Sequence, residues 1–231
     1  MRAYVLCGGL GTRLRSVTGD TQKALVPVHG QPFLATVLQQ LARAGVVDVV
    51  LCAHYRADQV AAQLDSLAIA SGLRLHLVVE AELLGTGGAL LNAVREQPPS
   101  GRYLVLNADT FLQADAYQAA VLATGTTILA VEVTDRSRFG SLRRDANGGL
   151  LAIEEKGQQG PGLVNAGVYA FDGDAFAGVE VAACSLERDL LPGLLQRVRI
   201  DVCEYAGHFI DIGTPASFAR YSAEFATDRL Q

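Results

Sequence analysis

The chain alternates short apolar runs with longer stretches of mixed polarity. Residues 3–6, 46–52, 73–79, 103–107 and 127–133 are rich in Val and Leu and are bounded by Gly, Asp, Asn or Ser. That is the pattern of fully buried strands. Helical spacing fills the intervals 32–44, 57–67, 88–94 and 114–123. In the first of these, Phe33, Val37, Leu38 and Leu41 share one face, with Pro32 near the start and Gly45 just past the end. Alternating strands and helices predict an α/β fold, a doubly wound, mostly parallel, Rossmann-like sheet flanked by helices.

The second half changes character. Residues 142–144, 150–154 and 163–171 read as strands separated by turn signals, Asn147-Gly148-Gly149 among them. They predict antiparallel strands that extend or cover an edge of the first layer. A helix over 186–195, a strand over 198–205 and a closing helix over 215–226 complete the pattern. No linker rich in Pro, Ser or charge divides the halves, so one domain over 1–231 is expected. No short-period repeat announces an appended β-helix.

Composition narrows the classes. Of 231 residues, 50% are hydrophobic, which supports a sizeable core. Lys and Arg number 19 against 24 Asp and Glu, a net charge of −5. A general affinity for nucleic acid or an anionic membrane needs a basic excess, so neither is expected as a partner. A polyphosphate ligand would have to be met locally, by a few cations, backbone N–H groups and a metal. Cys7, Cys52, Cys184 and Cys203 are far apart without CxxC spacing and read as reduced thiols. The N-terminal apolar run is too short for a signal peptide or a membrane span. A soluble, cytoplasmic protein is the expectation.

The strongest local signal is Cys7-Gly8-Gly9-Leu10-Gly11-Thr12-Arg13-Leu14, directly after the first strand. Glycines there let backbone N–H groups approach phosphate oxygens, and Arg13 adds a cationic fork. A Walker loop requires Gly-Lys-Ser or Gly-Lys-Thr, and neither occurs. The dinucleotide fingerprint requires glycine at position 14, which is Leu14. Lys23 follows the loop, before the apolar Ala24-Leu25-Val26, and with Arg13 it could neutralise a triphosphate. Asn107-Ala108-Asp109 ends the fourth strand, on the edge where open α/β sheets gather ligands. Asp109 with Asp211 would supply hard oxygen ligands for Mg²⁺, which takes one or two carboxylates plus phosphate oxygens and water. Asp211 alone reads equally well as a turn residue before the helix that begins at Pro215.

Glu80 ends the third strand and leads into Leu84-Gly85-Thr86-Gly87-Gly88. Those glycines would let a base or ribose lie on backbone, with N–H donors at the helix start. Glu80 itself reads equally as a solvated strand-end carboxylate or as a base reader, and Glu82 could play the same part. Glu155-Lys156 and Asn165-Ala166-Gly167 sit at strand ends in the second half, offering acceptors for hydroxyls and a cation for phosphate. The histidines, His29, His54, His76 and His208, show no metal-ligand spacing.

Together these segments resemble the sugar-phosphate nucleotidyltransferases nearly end to end. The family's GGxGTRL matches Gly8 to Leu14. Its P-K-x-L-x-P-V element is met by Lys23-Ala24-Leu25-Val26-Pro27-Val28, with Gln22 in place of proline, a departure expected to relax the loop. Its L-G-T-[AG]-G-A matches Leu84 to Ala89, and its G-D metal motif appears as Ala108-Asp109. E-K matches Glu155-Lys156, N-x-G matches Asn165 to Gly167, and D-I-G-T-P matches Asp211 to Pro215. Within the family the details look most like the D-glycero-α-D-manno-heptose 1-phosphate guanylyltransferases.

The resemblance implies a nucleotidyltransferase, glycosyltransferase-A-like fold, in which 1–125 bind the nucleotide and 126–231 the sugar phosphate. It implies transfer of GMP from GTP to heptose 1-phosphate with Mg²⁺, releasing pyrophosphate, and a homodimer. Arg13, Lys23, Asp109 and Asp211 would be catalytic, the two Asp holding the metal. Gly8, Gly9, Gly11, Thr12, Glu80, Gly85, Thr86 and Asn107 would join Arg13, Lys23 and Asp109 around the nucleotide. Gly140, Glu155, Lys156, Asn165 and Gly167 would receive the sugar phosphate. Three other readings compete. A uridylyl- or thymidylyltransferase on a hexose 1-phosphate would share most of these words. A non-catalytic NDP-sugar sensor of the same fold should have lost Arg13, Lys23 or an acidic ligand. A Rossmann oxidoreductase is opposed by Leu14.

Overall fold

The computed structural model describes residues 1–154 and 156–225. The first half runs β1 (Arg2–Leu6), α1 (Arg15–Thr18), β2 (Pro27–Val28), β3 (Gln31–Pro32), α2 (Phe33–Arg43), β4 (Asp48–Ala53) and α3 (Ala57–Ser71). It continues through β5 (Arg74–Val79), α4 (Gly85–Glu96), β6 (Tyr103–Asn107), β7 (Thr110–Leu112) and α5 (Ala114–Leu122). The second half comprises β8 (Thr126–Val133), β9 (Ser141–Arg144), β10 (Leu150–Glu154), β11 (Gly162–Phe171), α6 (Leu191–Leu195), β12 (Ile200–Tyr205), β13 (Phe209–Asp211) and α7 (Pro215–Glu224).

A mixed sheet with the order β10-β9-β11-β6-β1-β4-β5 carries the fold, and β8 joins it to β11 and β12. Strands β6, β1, β4 and β5 run parallel, with Leu6 level with Asn107 on one side and Cys52 on the other. β11 is antiparallel to β6 and β8, and β9 to β10, as the turn signals predicted. β12 instead runs parallel to β8. Because consecutive strand residues point to opposite faces, β1 and β6 feed two cores. Ala3, Val5, Leu104 and Leu106 pack with α2, α3 and α5. Tyr4, Tyr103 and Val105 pack with α4, α6 and the π-helical turn Leu186–Leu190. Since β1 lies between β4 and β6, the connections after β1 and β6 diverge, which opens a crevice at the carboxyl ends of these strands.

The structure differs from the sequence reading in ways that bear on the site. α4 begins at Gly85 rather than at residue 88, because Cys184 C=O accepts from Gly87 N–H at 2.9 Å and Gly88 N–H at 3.3 Å. Those are first-turn donors that lack an intrahelical partner. α3 extends to Ser71, where Gly72 at φ 72° ends it. The expected helix over 186–195 is a π-helical turn followed by α6. β7 and β13 were not expected; they pair antiparallel, Thr110 opposite Asp211, in a small ladder of their own. The closing helix ends at Glu224, and residue 226 lies outside the described residues.

Candidate active site

The glycine loop leaves β1 at the middle of the parallel sheet. A Cβ on Gly8 would sit 3.0 Å from Glu80 Oε1 and 3.3 Å from His54, so glycine here lets the Glu80 side chain reach the loop. Gly11 has φ 61° and turns the chain left-handed beside Lys23. The 3₁₀ turn Thr12–Leu14 then buries Leu14 completely and leaves Thr12 and Arg13 exposed. Arg13 has no hydrogen-bond or ion-pair partner among the described residues.

Lys23 is anchored by its neighbour. Gln22 is 2% exposed; its Nε2 donates to Cys7 C=O at 2.5 Å and its Oε1 accepts from Ala24 N–H at 2.6 Å. Its own N–H donates to Gln59 Oε1 at 2.7 Å. The expectation that glutamine relaxes this loop is therefore corrected: it ties the glycine loop to the lysine turn and to α3. From this support Lys23 Nζ reaches Asp109 Oδ2 at 2.5 Å.

Asp109 and Asp211 come together through the small ladder. Ile212 N–H donates to Asp109 C=O at 2.9 Å, one residue beyond the Thr110–Asp211 pair. Asp211 Oδ1 accepts from Gly213 N–H at 2.5 Å and lies 3.4 Å from Arg138 Nη2. A Cβ on Gly213 would fall 2.5 Å from Asp211 Oδ1 and 3.2 Å from Lys23 Nζ, so glycine leaves this space to the charged groups. The cap of α7 is Thr214, in a capping box with Ser217; Asp211 is a turn acceptor and not the helix cap. A carboxylate that already holds an ammonium, with a second carboxylate across a strand pair, is a donor set suited to Mg²⁺. Among the described residues no group of three or more His, Cys, Asp or Glu adds to it.

Two adjoining cavities open here. The smaller, about 240 Å³, is lined by Gly8, Gly9, Lys23, Glu80, Asn107 and Asp109 from the residues singled out above. Gln22 and Cys7 also line it. The larger, about 970 Å³, is lined by Gly140, Lys156, Asn165, Gly167 and Asp211. Leu83, Gly85, Thr86 and Asn107 belong to both walls. Gly11, Thr12 and Arg13, also expected around the nucleotide, line neither cavity. Glu155, expected on the sugar side, lies outside the described residues.

Glu80 is 4% exposed, and its Oε2 accepts from Leu84 N–H at 2.9 Å, which removes the solvated reading. Burial raises its carboxyl above the ordinary range, against the opposing pull of the Leu84 N–H and of His54. The glycines that follow are closed on the side where a Cβ would stand. A Cβ on Gly85 would lie 2.6 Å from Cys184 C=O, and one on Gly87 would lie 2.7 Å from Cys184 Sγ. On that side they admit the 182–186 segment, and Cys184 N–H donates back to Leu84 C=O at 2.9 Å.

The N-x-G motif sits on an irregularity of β11 between Asn165 and Tyr169 in its pairing with β8. Gly167, at φ 72°, has Asn107 Nδ2 2.5 Å from where its Cβ would be. Such bulges commonly re-aim side chains beside functional sites. The sequence reading missed Gln22, Tyr169, Ser185, Glu187 and Arg188, the last three of which line the larger cavity. The departure from proline at position 22 was the one visible signal among them.

Comparisons with known proteins find relatives over nearly the whole chain. The family model described as nucleotidyl transferase matches residues 2–228. D-glycero-alpha-D-manno-heptose 1-phosphate guanylyltransferase from Campylobacter jejuni is 28% identical over 221 residues, covering 96% of this chain and 98% of that protein. Mannose-1-phosphate guanylyltransferase catalytic subunit beta from Drosophila melanogaster is 34% identical over 94% of this chain, which spans 60% of that longer protein. The crystal structure of HddC from Yersinia pseudotuberculosis complexed with GMP-PN superposes with a TM-score of 0.82 at 33% identity, covering 97% of this chain and 99% of that one. With a family match over nearly its whole length and the motifs in order around paired cavities, the chain belongs to the nucleotidyl transferase family.

Proposed function

We propose that the protein transfers GMP from GTP to D-glycero-α-D-manno-heptose 1-phosphate, giving GDP-heptose and pyrophosphate. The observation that carries a two-substrate transfer is the pair of adjoining cavities, with Lys23 and Asp109 in the wall of one and Asp211 in the wall of the other. The sugar rests on the Campylobacter relative and on the motif resemblance.

A phosphate oxygen of the sugar 1-phosphate attacks the α-phosphorus of GTP in line, and the bond to the β-phosphate oxygen breaks. Positioning and charge neutralisation supply most of the rate in such transfers. Lys23 would neutralise the α-phosphate, Lys156 the attacking phosphate, and Arg13, without a partner among the described residues, the departing pyrophosphate. Asp109 and Asp211 would hold Mg²⁺, whose chemistry is to offset the charge shared by the two phosphates. Asn107 and Thr86, common to both walls, would contact both substrates.

Glu80 supports guanine as the base. Guanine presents N1–H and an exocyclic amine side by side, whereas uracil and thymine flank N3–H with carbonyl oxygens. A carboxylate is acceptor-only, so it matches guanine and repels a pyrimidine dione. Oε2 would share its lone pairs between Leu84 N–H and the base.

Pyrophosphate release screened with GTP, ATP, CTP, UTP and dTTP against heptose, mannose and glucose 1-phosphates tests this reading. GTP with heptose 1-phosphate is expected to be fastest. Faster turnover of a hexose 1-phosphate, or of UTP or dTTP, refutes the sugar or the base. No release with any pair refutes the transferase reading and leaves the sensor.

A further inference from the structure

Asn165 is held by a chain of hydrogen bonds in which each proton has only one direction to point. Gly167 N–H, which can only donate, lies 2.8 Å from one end of the Asn165 amide; that end is therefore Oδ1. The other end, Nδ2, faces the Tyr169 hydroxyl at 2.7 Å and must donate to it. The Tyr169 hydroxyl donates onward to Glu187 Oε1 at 2.9 Å, and a carboxylate only accepts. On the far oxygen, Thr86 Oγ1 and Ser185 Oγ each donate to Glu187 Oε2 at 3.0 Å. Both hydroxyls are oriented by backbone donors, Leu186 N–H to Thr86 at 2.9 Å and Arg188 N–H to Ser185 at 3.3 Å. Tyr169 is fully buried, and burial together with Glu187 keeps its phenol protonated, as the relay requires.

We propose that Glu187 is a positioning residue for the acceptor: acting through Tyr169, it fixes the Asn165 amide so that the larger cavity meets a donor beside an acceptor. After its two internal bonds Asn165 retains one Nδ2 proton and a lone pair on Oδ1. That edge fits a hydroxyl that accepts next to one that donates, as vicinal hydroxyls of a pyranose can. Through Thr86, which lies in both cavity walls, Glu187 also reaches the nucleotide side. A connected network of hydrogen bonds holds its groups more rigidly than isolated pairs do. The inference rests on the sugar-phosphate reading of the larger cavity.

Tyr169→Phe removes the relay while keeping the ring. With GTP and D-glycero-α-D-manno-heptose 1-phosphate, it is expected to raise KM for the acceptor about tenfold, the scale of one lost hydrogen bond, with KM for GTP unchanged. Added to Asn165→Ala it should cost nothing further, because both changes break one unit. Glu187→Gln should raise both KM values, since it also releases Thr86. An unchanged acceptor KM in Tyr169→Phe, or full additivity with Asn165→Ala, overturns the proposal. So does a uniform loss of activity that merely follows a lowered Tm. The side-chain amide resonances of Asn165 decide the matter without turnover, and so separately from the transferase reading. Tyr169→Phe should shift both Nδ2 protons, and resonances identical to those of the parent protein contradict the inference.

Discussion

Replacing Gln22 tests whether the glycine loop and Lys23 form one supported unit. Gln22→Ala deletes a donor to Cys7 C=O and an acceptor for Ala24 N–H, at 2.5 and 2.6 Å, among residues that are 2–3% exposed. A buried polar group left without its partner costs about 1–3 kcal/mol, so the two together would cost about 2–6 kcal/mol in a sealed core. Gln22 lines the smaller cavity, however, and water entering the vacated space would satisfy part of the demand. The lower end, about 2 kcal/mol, is expected, and for a chain of this size it lowers Tm by about 4–8 °C. Gln22→Glu is the sharper probe because it keeps the acceptor for Ala24 N–H but turns the donor into a second acceptor against Cys7 C=O. It should destabilise at least as much as alanine at neutral pH. Calorimetric melting reads the stability, and steady-state kinetics should show kcat falling in both variants, since Lys23 is the next residue. A Gln22→Glu protein that melts and turns over like the parent refutes the argument. Gln22→Pro suits the backbone at φ −59° but loses the N–H bonded to Gln59.

The remaining predictions concern the site itself. Arg13→Ala should lower kcat by about 10²–10³, the usual order for a lost charge stabiliser; near-normal kcat with only a raised KM would reduce Arg13 to a substrate-binding role. Asp109→Asn and Asp211→Asn should each sharply weaken the response of turnover to added Mg²⁺, and the double variant should lose little more than either single one. A ligand-bound structure with its metal far from both carboxylates contradicts that prediction. GTP should exceed UTP and dTTP at least tenfold in kcat/KM, about 1.4 kcal/mol. Glu80→Gln should erode that ratio by weakening GTP, because its amide oxygen would take Leu84 N–H and leave an NH₂ facing the guanine donors; a ratio that does not change refutes the base argument.

The parts of the site legible in the sequence are those written by local rules. A buried parallel strand is a continuous apolar run, so the end of β1 and the end of β6 could be read directly, and with them the glycine loop and Asp109. The order of short motifs then located Asp211, Lys156, Asn165 and Gly167, which the structure gathers around adjoining cavities. What stayed hidden depends on partners distant along the chain. Glycine reports that something comes close but not what, so the packing of Cys184 against Gly85 and Gly87 could not be foreseen. The β7–β13 ladder is three residues long on each side, below the length at which alternation is informative. Glu187 meets Thr86 across 101 positions, and nothing in its own neighbourhood announces that contact.

The central claim is that a sugar phosphate oxygen attacks the α-phosphorus, and isotope position tests it most directly. Heptose 1-phosphate carrying ¹⁸O in its phosphate, incubated with GTP and Mg²⁺, should give GDP-heptose that retains all of the label and pyrophosphate that contains none. Labelled heptose triphosphate formed with free GMP, or labelled heptose diphosphate formed with GDP, would place the attack at the β- or γ-phosphorus and contradict the account.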